Sequence, residues 1–279
     1  MKRLRHYTRG TAIVLSCFGS VVEQQRYQAL MHQVQQRYPQ AEVRIAVSSR
    51  MVIKKLAEKG QACQHLPAVL ADLDMAGYQR ILVVSCYLFP TDEHKQVGQI
   101  VEGFQQFSLS AIDTTPAIIH HTHRANALLA GLNQRFAQGS DINLFVHHGA
   151  PYLDNPGHQA ISYCDTFLSQ LSAKNISCSL EGAMPFELLK SAIQSRVKAE
   201  TKPVLRIIPL LLVSGNHFVN DMAEIKAQLS AWCDVHIAEG AQGESFHLLS
   251  LEAVTDIIFT QIDQGLTRLK APAEEISCG

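Results

Sequence analysis

The 279-residue chain lacks any apolar run approaching the roughly 18 residues that a membrane span needs. It also lacks charge of one sign. Its 24 Lys and Arg stand against 25 Asp and Glu, a formal net charge of −1, so composition gives no reason to expect nucleic acid or an acidic partner. Paired cysteines are missing too. Cys17, Cys63, Cys86, Cys164, Cys178, Cys233 and Cys278 are scattered, and no two have CxxC spacing. That odd, unclustered set argues against a disulfide framework or a zinc knuckle and reads as reduced thiols in a cytosolic protein. No Walker loop, GxGxxG, HExxH or nucleophile elbow occurs, which disfavours nucleotide-dependent and serine-hydrolase chemistry.

What is present suits a globular protein with a real core: 47% hydrophobic and 18% charged residues, in a length that holds one large or two ordinary domains. Met1-Lys-Arg-Leu-Arg before Thr11-Ala-Ile-Val-Leu-Ser-Cys17-Phe18 mimics a secretory signal. Its apolar stretch is short, however, and Val21-Val22-Glu23-Gln24-Gln25 follows in place of an A-x-A-like cleavage site, so it reads as a basic tail and a first buried strand of a cytoplasmic protein.

Short β-branched runs alternate with helix-period stretches. Strands are expected over Thr11–Phe18, Glu42–Val47, Arg80–Ser85, Ala117–His120, Asn143–His147, Ile176–Leu180, Val204–Leu212 and Asp234–Ala238. This alternation implies βαβ units and a mainly parallel sheet. The polar break Phe136-Ala-Gln-Gly-Ser-Asp141 lies near the middle, and each half opens with an apolar strand ending in glycine, at Gly19 and Gly149. The expected α/β architecture is therefore two similar doubly wound domains, each a mainly parallel four-stranded sheet flanked by helices. They divide into residues 1–138 and residues 139–279, the second carrying the site, with the last helix (Leu248–Leu269) free to return to the first domain. A TIM barrel is the alternative.

The most informative run is Pro209-Leu-Leu-Leu-Val-Ser-Gly215-Asn-His217-Phe-Val-Asn220-Asp221-Met222: a buried strand, a glycine, then an imidazole near a helix start. Open α/β sheets bind ligands at the carboxyl ends of their strands. His148 beside Gly149 and Glu181 beside Gly182 occupy comparable strand ends. Two imidazoles and a carboxylate suit divalent Co, Fe, Ni or Zn, or proton transfer. Taken singly, each reads better as an ordinary cap or a satisfied polar residue; three in equivalent positions favour a site.

Other histidines read differently. His120-His121-Thr122-His123 is taken as a solvated turn, His147 as facing away from His148, and His158 as part of a turn-rich loop. Arg50 opens a helix in Ser48-Ser49-Arg50, where a cation opposes the dipole and an anionic ligand would offset that cost; Lys54 and Lys55 read equally well as an ordinary basic face. Asn220 and Asp221 are expected to cap the next helix.

Taken together, Ala46-Val-Ser-Ser-Arg50-Met-Val-Ile-Lys-Lys-Leu56, Val146-His-His148-Gly149, Leu180-Glu181-Gly182 with Pro185, and the run around His217 resemble the anaerobic sirohydrochlorin cobaltochelatases, class II tetrapyrrole chelatases akin to ferrochelatase. Gly243-Glu244 resembles a turn of that family. The resemblance implies a tetrapyrrole cleft between two α/β domains. His148, Glu181 and His217 would bind the metal and assist proton removal, and Phe18, Gly19, Ser20, Tyr87 and Arg50 would face the macrocycle. It implies no cofactor beyond the substrate metal (Co²⁺, with Fe²⁺ or Ni²⁺ as alternatives) and no partner beyond sirohydrochlorin, with homo-oligomerisation open. A haem or tetrapyrrole carrier and a ferrochelatase-type enzyme are the competing readings. Tyr87 stands where the family often has His, Thr91 where it often has Gly, and Tyr152–Gly157 replaces a compact turn.

Overall fold

The computed structural model describes residues 5–136, 142–199, 204–240 and 243–270, without the side chains of 216–218. The polar break at 137–141 lies outside these residues. The first half forms β1 (Arg9–Cys17), β2 (Ala41–Val47), β3 (Tyr78–Ser85) and β4 (Ala111–Thr114). The second forms β5 (Ile142–Ala150), β6 (Asn175–Gly182), β7 (Val204–Pro209) and β8 (Asp234–Ile237). The sheets have the orders β2-β1-β3-β4 and β6-β5-β7-β8, and every pairing is parallel. The second order is the first shifted by four strands, so the likeness of the two halves extends to topology.

The inner strands are apolar on both faces because helices cover both faces. Ile13, Leu15, Leu82, Val84, Phe145 and Ile208 join one core with α1 (Gln24–Arg37), α5 (Thr122–Phe136), α6 (His158–Leu171) and α9 (Glu252–Lys270). The outer face of the first sheet packs on α3 (Leu66–Met75) and α4 (Asp92–Gln105); that of the second packs on α7 (Phe186–Lys198) and α8 (Asn216–Leu229). Crossing back, α9 packs against β3 and β4. Gly265 admits Leu82, where a Cβ would meet Leu82 Cδ1 at 2.5 Å, and Arg268 pairs with Asp113 at 2.8 Å.

Two strand expectations need correction. The fourth strand is Ala111–Thr114, not Ala117–His120. Pro116 has no N–H to give to a ladder. Residues 117–119 instead run as a buried loop in which the N–H groups of Ile118 and Ile119 reach the carbonyls of Tyr87 and Leu88. The strand expected to run to Leu212 ends at Pro209, and the stretch after it is loop. α8 also begins earlier than Asn220 and Asp221 would place it. Its cap is Gly215, and the Val219 N–H already reaches the Gly215 carbonyl at 3.1 Å, which puts His217 in the first turn.

Candidate active site

Segments at the carboxyl ends of the two sheets touch. Asn155 Nδ2 donates to Asp92 Oδ2 at 2.9 Å, Ser20 Oγ donates to the Ser214 carbonyl at 2.9 Å, and Phe89 meets His147 edge to face at 6.2 Å.

On the second sheet, β5 and β6 remain paired to their last residues, Gly149 beside Glu181 and Ala150 beside Gly182. Both glycines have positive φ, +88° and +80°. A Cβ on Gly149 would lie 1.9 Å from the Glu181 carbonyl oxygen, and one on Gly182 would lie 1.8 Å from that of Ala150. Glycine therefore lets the two strand ends close on each other. The result brings His148 Nδ1 to 3.2 Å from Glu181 Oε1, with the two side chains 64% and 52% exposed. They meet each other and remain open to an incoming ion. After Glu181 the chain turns sharply. Ser179 N–H reaches the Met184 carbonyl at 3.0 Å, Ser179 Oγ reaches that of Ala183, and Met184 adopts φ 59° with its side chain exposed.

His217 lies in the first turn of α8, at the exit of the β7 loop; its side chain lies outside the described residues. Among the described residues, no three His, Cys, Asp or Glu side chains group as metal ligands, so the pair His148–Glu181 is what the described geometry brings together.

The residues expected on the opposite wall divide. Phe18, after β1, is 49% exposed, and Arg50, capped by Ser49 at the start of α2 (Arg50–Glu58), is exposed. Gly19 is packed against Val47 and Val52. Ser20 is buried, its hydroxyl donating to Ser214 and accepting from the Glu23 N–H at 3.0 Å. Tyr87 is a core residue of the outer face of the first sheet, and burial raises its phenol above the usual tyrosine range. Ser20 and Tyr87 are buried, Ser20 by a hydrogen bond to Ser214 and Tyr87 by apolar packing, and neither contact shows in one-dimensional spacing.

The remaining histidines also have places. His147 is buried on the face opposite His148, 3.4 Å from Asp165 Oδ2. His120, His121 and His123 are exposed, and His158 closes its own loop on the Tyr152 carbonyl at 2.6 Å. His94, which sequence spacing did not single out, hydrogen-bonds Ser85 Oγ at 2.7 Å, and burial followed by the nearby His120 lowers its pKa. Described cysteines are free thiols, and burial pushes those of Cys86, Cys164 and Cys178 up to about 12, so they stay protonated at neutral pH.

Against known families, residues 11–263 match the cobalt chelatase (CbiK) family. The chain belongs to that family. A curated relative, the sirohydrochlorin cobaltochelatase of Salmonella typhimurium, is 23% identical over 181 residues, 64% of this chain and 66% of that protein. Among solved structures, SirB of Bacillus subtilis with Fe³⁺ superposes with a TM-score of 0.64 at 15% identity, covering 92% of this chain and 96% of that one. The sirohydrochlorin chelatase SirB of Bacillus subtilis subspecies spizizenii in complex with cobalt gives 0.59 at 11% identity over 94% and 97%. These structural likenesses establish the chelatase fold, in agreement with the two parallel sheets. No helix among the described residues is long and apolar enough to cross a membrane.

Proposed function

We propose that this protein inserts a divalent metal, Co²⁺ in the first instance, into sirohydrochlorin without nucleotide, in the anaerobic route to cobalamin. The observation that carries this reading is the His148–Glu181 pair, set 3.2 Å apart at adjacent strand ends and open to solvent. With metal–ligand bonds of about 2.0–2.2 Å, neighbouring donors on one cation stand about 3.0–3.5 Å apart, so a single ion can take both without moving either strand. His217 is the third donor, delivered from the first turn of α8.

Insertion exchanges M²⁺ for two pyrrole N–H protons, and water must leave the metal as the macrocycle nitrogens arrive. Imidazole and carboxylate ligands hold the ion loosely enough to release it and can accept the departing protons. In this reading His148 and His217 accept the departing protons, while Glu181 offsets the metal charge.

Exposed apolar side chains follow several strand ends in sequence: Phe18 after β1, Met51 after β2, Tyr152 and Leu153 after β5, Met184 after β6 and Val219 after β7. In this reading they meet the flat apolar faces of the macrocycle. Arg50 would meet one of the eight carboxylates of sirohydrochlorin. The test is insertion with purified protein, sirohydrochlorin and Co²⁺, Fe²⁺ or Ni²⁺ in competition, followed by macrocycle absorbance. Tight haem binding without insertion would replace this reading with a carrier.

A further inference from the structure

We infer that Glu23, a buried carboxylate of the first half, is a positioning residue for His217 in the second. This rests on the chelatase reading above. Glu23 stands just before α1 without a side-chain capping bond, far in sequence from any residue proposed to touch metal. Its side chain is 11% exposed, yet it has a full set of partners. Oε2 accepts the Ser214 N–H at 2.9 Å, and Oε1 accepts from Ser245 Oγ and from Arg26, each at 2.8 Å. Ser20, which accepts the Glu23 N–H, donates its hydroxyl to the Ser214 carbonyl.

Both backbone groups of Ser214 are thus satisfied by side chains from the other half. Ser214 lies three residues before His217, and Gly215 between them caps α8. The rest of that loop is pinned from within its own half. Leu210 N–H reaches the Val146 carbonyl, and Leu248 and Leu249 N–H groups reach the carbonyls of Leu211 and Leu212. The last peptide before the helix cap is therefore the point where the first half fixes the direction in which α8 starts.

A buried carboxylate is expensive to keep unless it is hydrogen-bonded to fixed donors, and one that accepts a backbone N–H through a charge-assisted bond holds that backbone firmly. Stability alone does not explain why the bonds converge on the peptide leading into His217. Groups that orient metal ligands typically change affinity or activity by about 10–100-fold when removed.

The test is a double-mutant cycle of Glu23→Gln with His217→Ala, reading Co²⁺ affinity of the resting protein, kcat and KM for insertion into sirohydrochlorin, and Tm. Glu23→Gln alone should weaken Co²⁺ binding and lower kcat about 10-fold, leave KM within about twofold, and add less than about twofold on top of His217→Ala, because a residue acting through His217 has nothing left to position. Equal losses from Glu23→Gln in both backgrounds, or a neutral Glu23→Gln beside a damaging His217→Ala, would overturn the inference and leave the chelatase reading intact. If His217→Ala itself changed neither Co²⁺ binding nor turnover, the site reading would fall, and this inference with it. Should Glu23→Gln be too unstable to assay, Ser20→Ala removes the hydroxyl bonded to the Ser214 carbonyl and keeps the carboxylate. The same pattern of non-additivity is expected of it, and additivity would overturn the inference equally.

Discussion

His148 Nδ1 stands 3.2 Å from Glu181 Oε1, and that distance exists because Gly149 lets the Glu181 backbone approach where any Cβ would collide at 1.9 Å. Gly149→Ala should therefore separate the pair. The left-handed conformation alone costs on the order of 1–3 kcal/mol in a non-glycine residue. The expected result is a lower Tm together with loss of Co²⁺ binding. Unchanged affinity in a folded variant would disconnect the strand closure from the site.

Glu181→Gln keeps the shape of the side chain and removes its charge. Glu181 is half exposed, so the fold should survive with Tm nearly unchanged. Insertion turnover should fall about 10-fold or more if the carboxylate offsets metal charge. Single-turnover absorbance kinetics at fixed Co²⁺ measure this directly.

Arg50 is exposed, and an exposed ion pair contributes about 0.2–1 kcal/mol, so Arg50→Ala should raise KM for sirohydrochlorin by at most about fivefold. Added salt should shrink the difference between parent and variant. A porphyrin with two carboxylates should respond less than sirohydrochlorin. KM values for both macrocycles at two ionic strengths decide this.

Asn155 organises the loop after His148. It is buried, its Oδ1 accepts the Gly157 N–H, and its Nδ2 crosses to Asp92. Asn155→Ala should cost about 1–3 kcal/mol for two lost hydrogen bonds. It should also free Tyr152 and Leu153, raising KM for the macrocycle more than it lowers kcat. Thermal unfolding and steady-state kinetics together test both parts.

The buried His247 gives a pH dependence with a defined sign. Burial, followed by the nearby Arg26, lowers its pKa below the ordinary 6.5, so the folded state resists its protonation. Above pH 6.5 it is neutral in both the folded and unfolded chain and has no effect. As pH falls through 6.5 the unfolded chain binds the proton first, and stability is lost. Tm should drop between pH 7.5 and 5.5, and less so in His247→Gln. Some slope should remain, since His94 is shifted in the same direction. Identical slopes would exclude His247 as a contributor.

Much of the architecture was legible in the sequence because the inner strands are buried on both faces and read as continuous apolar runs. The strand-end glycines marked His148 and Glu181. What stayed hidden depends on contacts between distant segments. β4 carries Asp113, a poor strand signal whose carboxylate accepts the Thr114 N–H and pairs with Arg268 on α9. α4 buries only Val97 and Val101 and contains two glycines, so its periodicity is faint. Ser20 and Glu23 look like ordinary residues at a helix start. Their bonds to Ser214 span more than 190 positions.

The central claim is that His148, Glu181 and His217 load a metal into a tetrapyrrole. The most direct measurement is Co²⁺ insertion into sirohydrochlorin by the parent protein and by His148→Ala and His217→Ala, followed by the change in macrocycle absorbance under anaerobic conditions without nucleotide. The account predicts catalysed insertion by the parent and loss of at least about 100-fold in each folded variant, as expected when a group that acts on the reacting atoms is removed. Insertion at the uncatalysed rate by the parent, or at the parent rate by both variants, would contradict it.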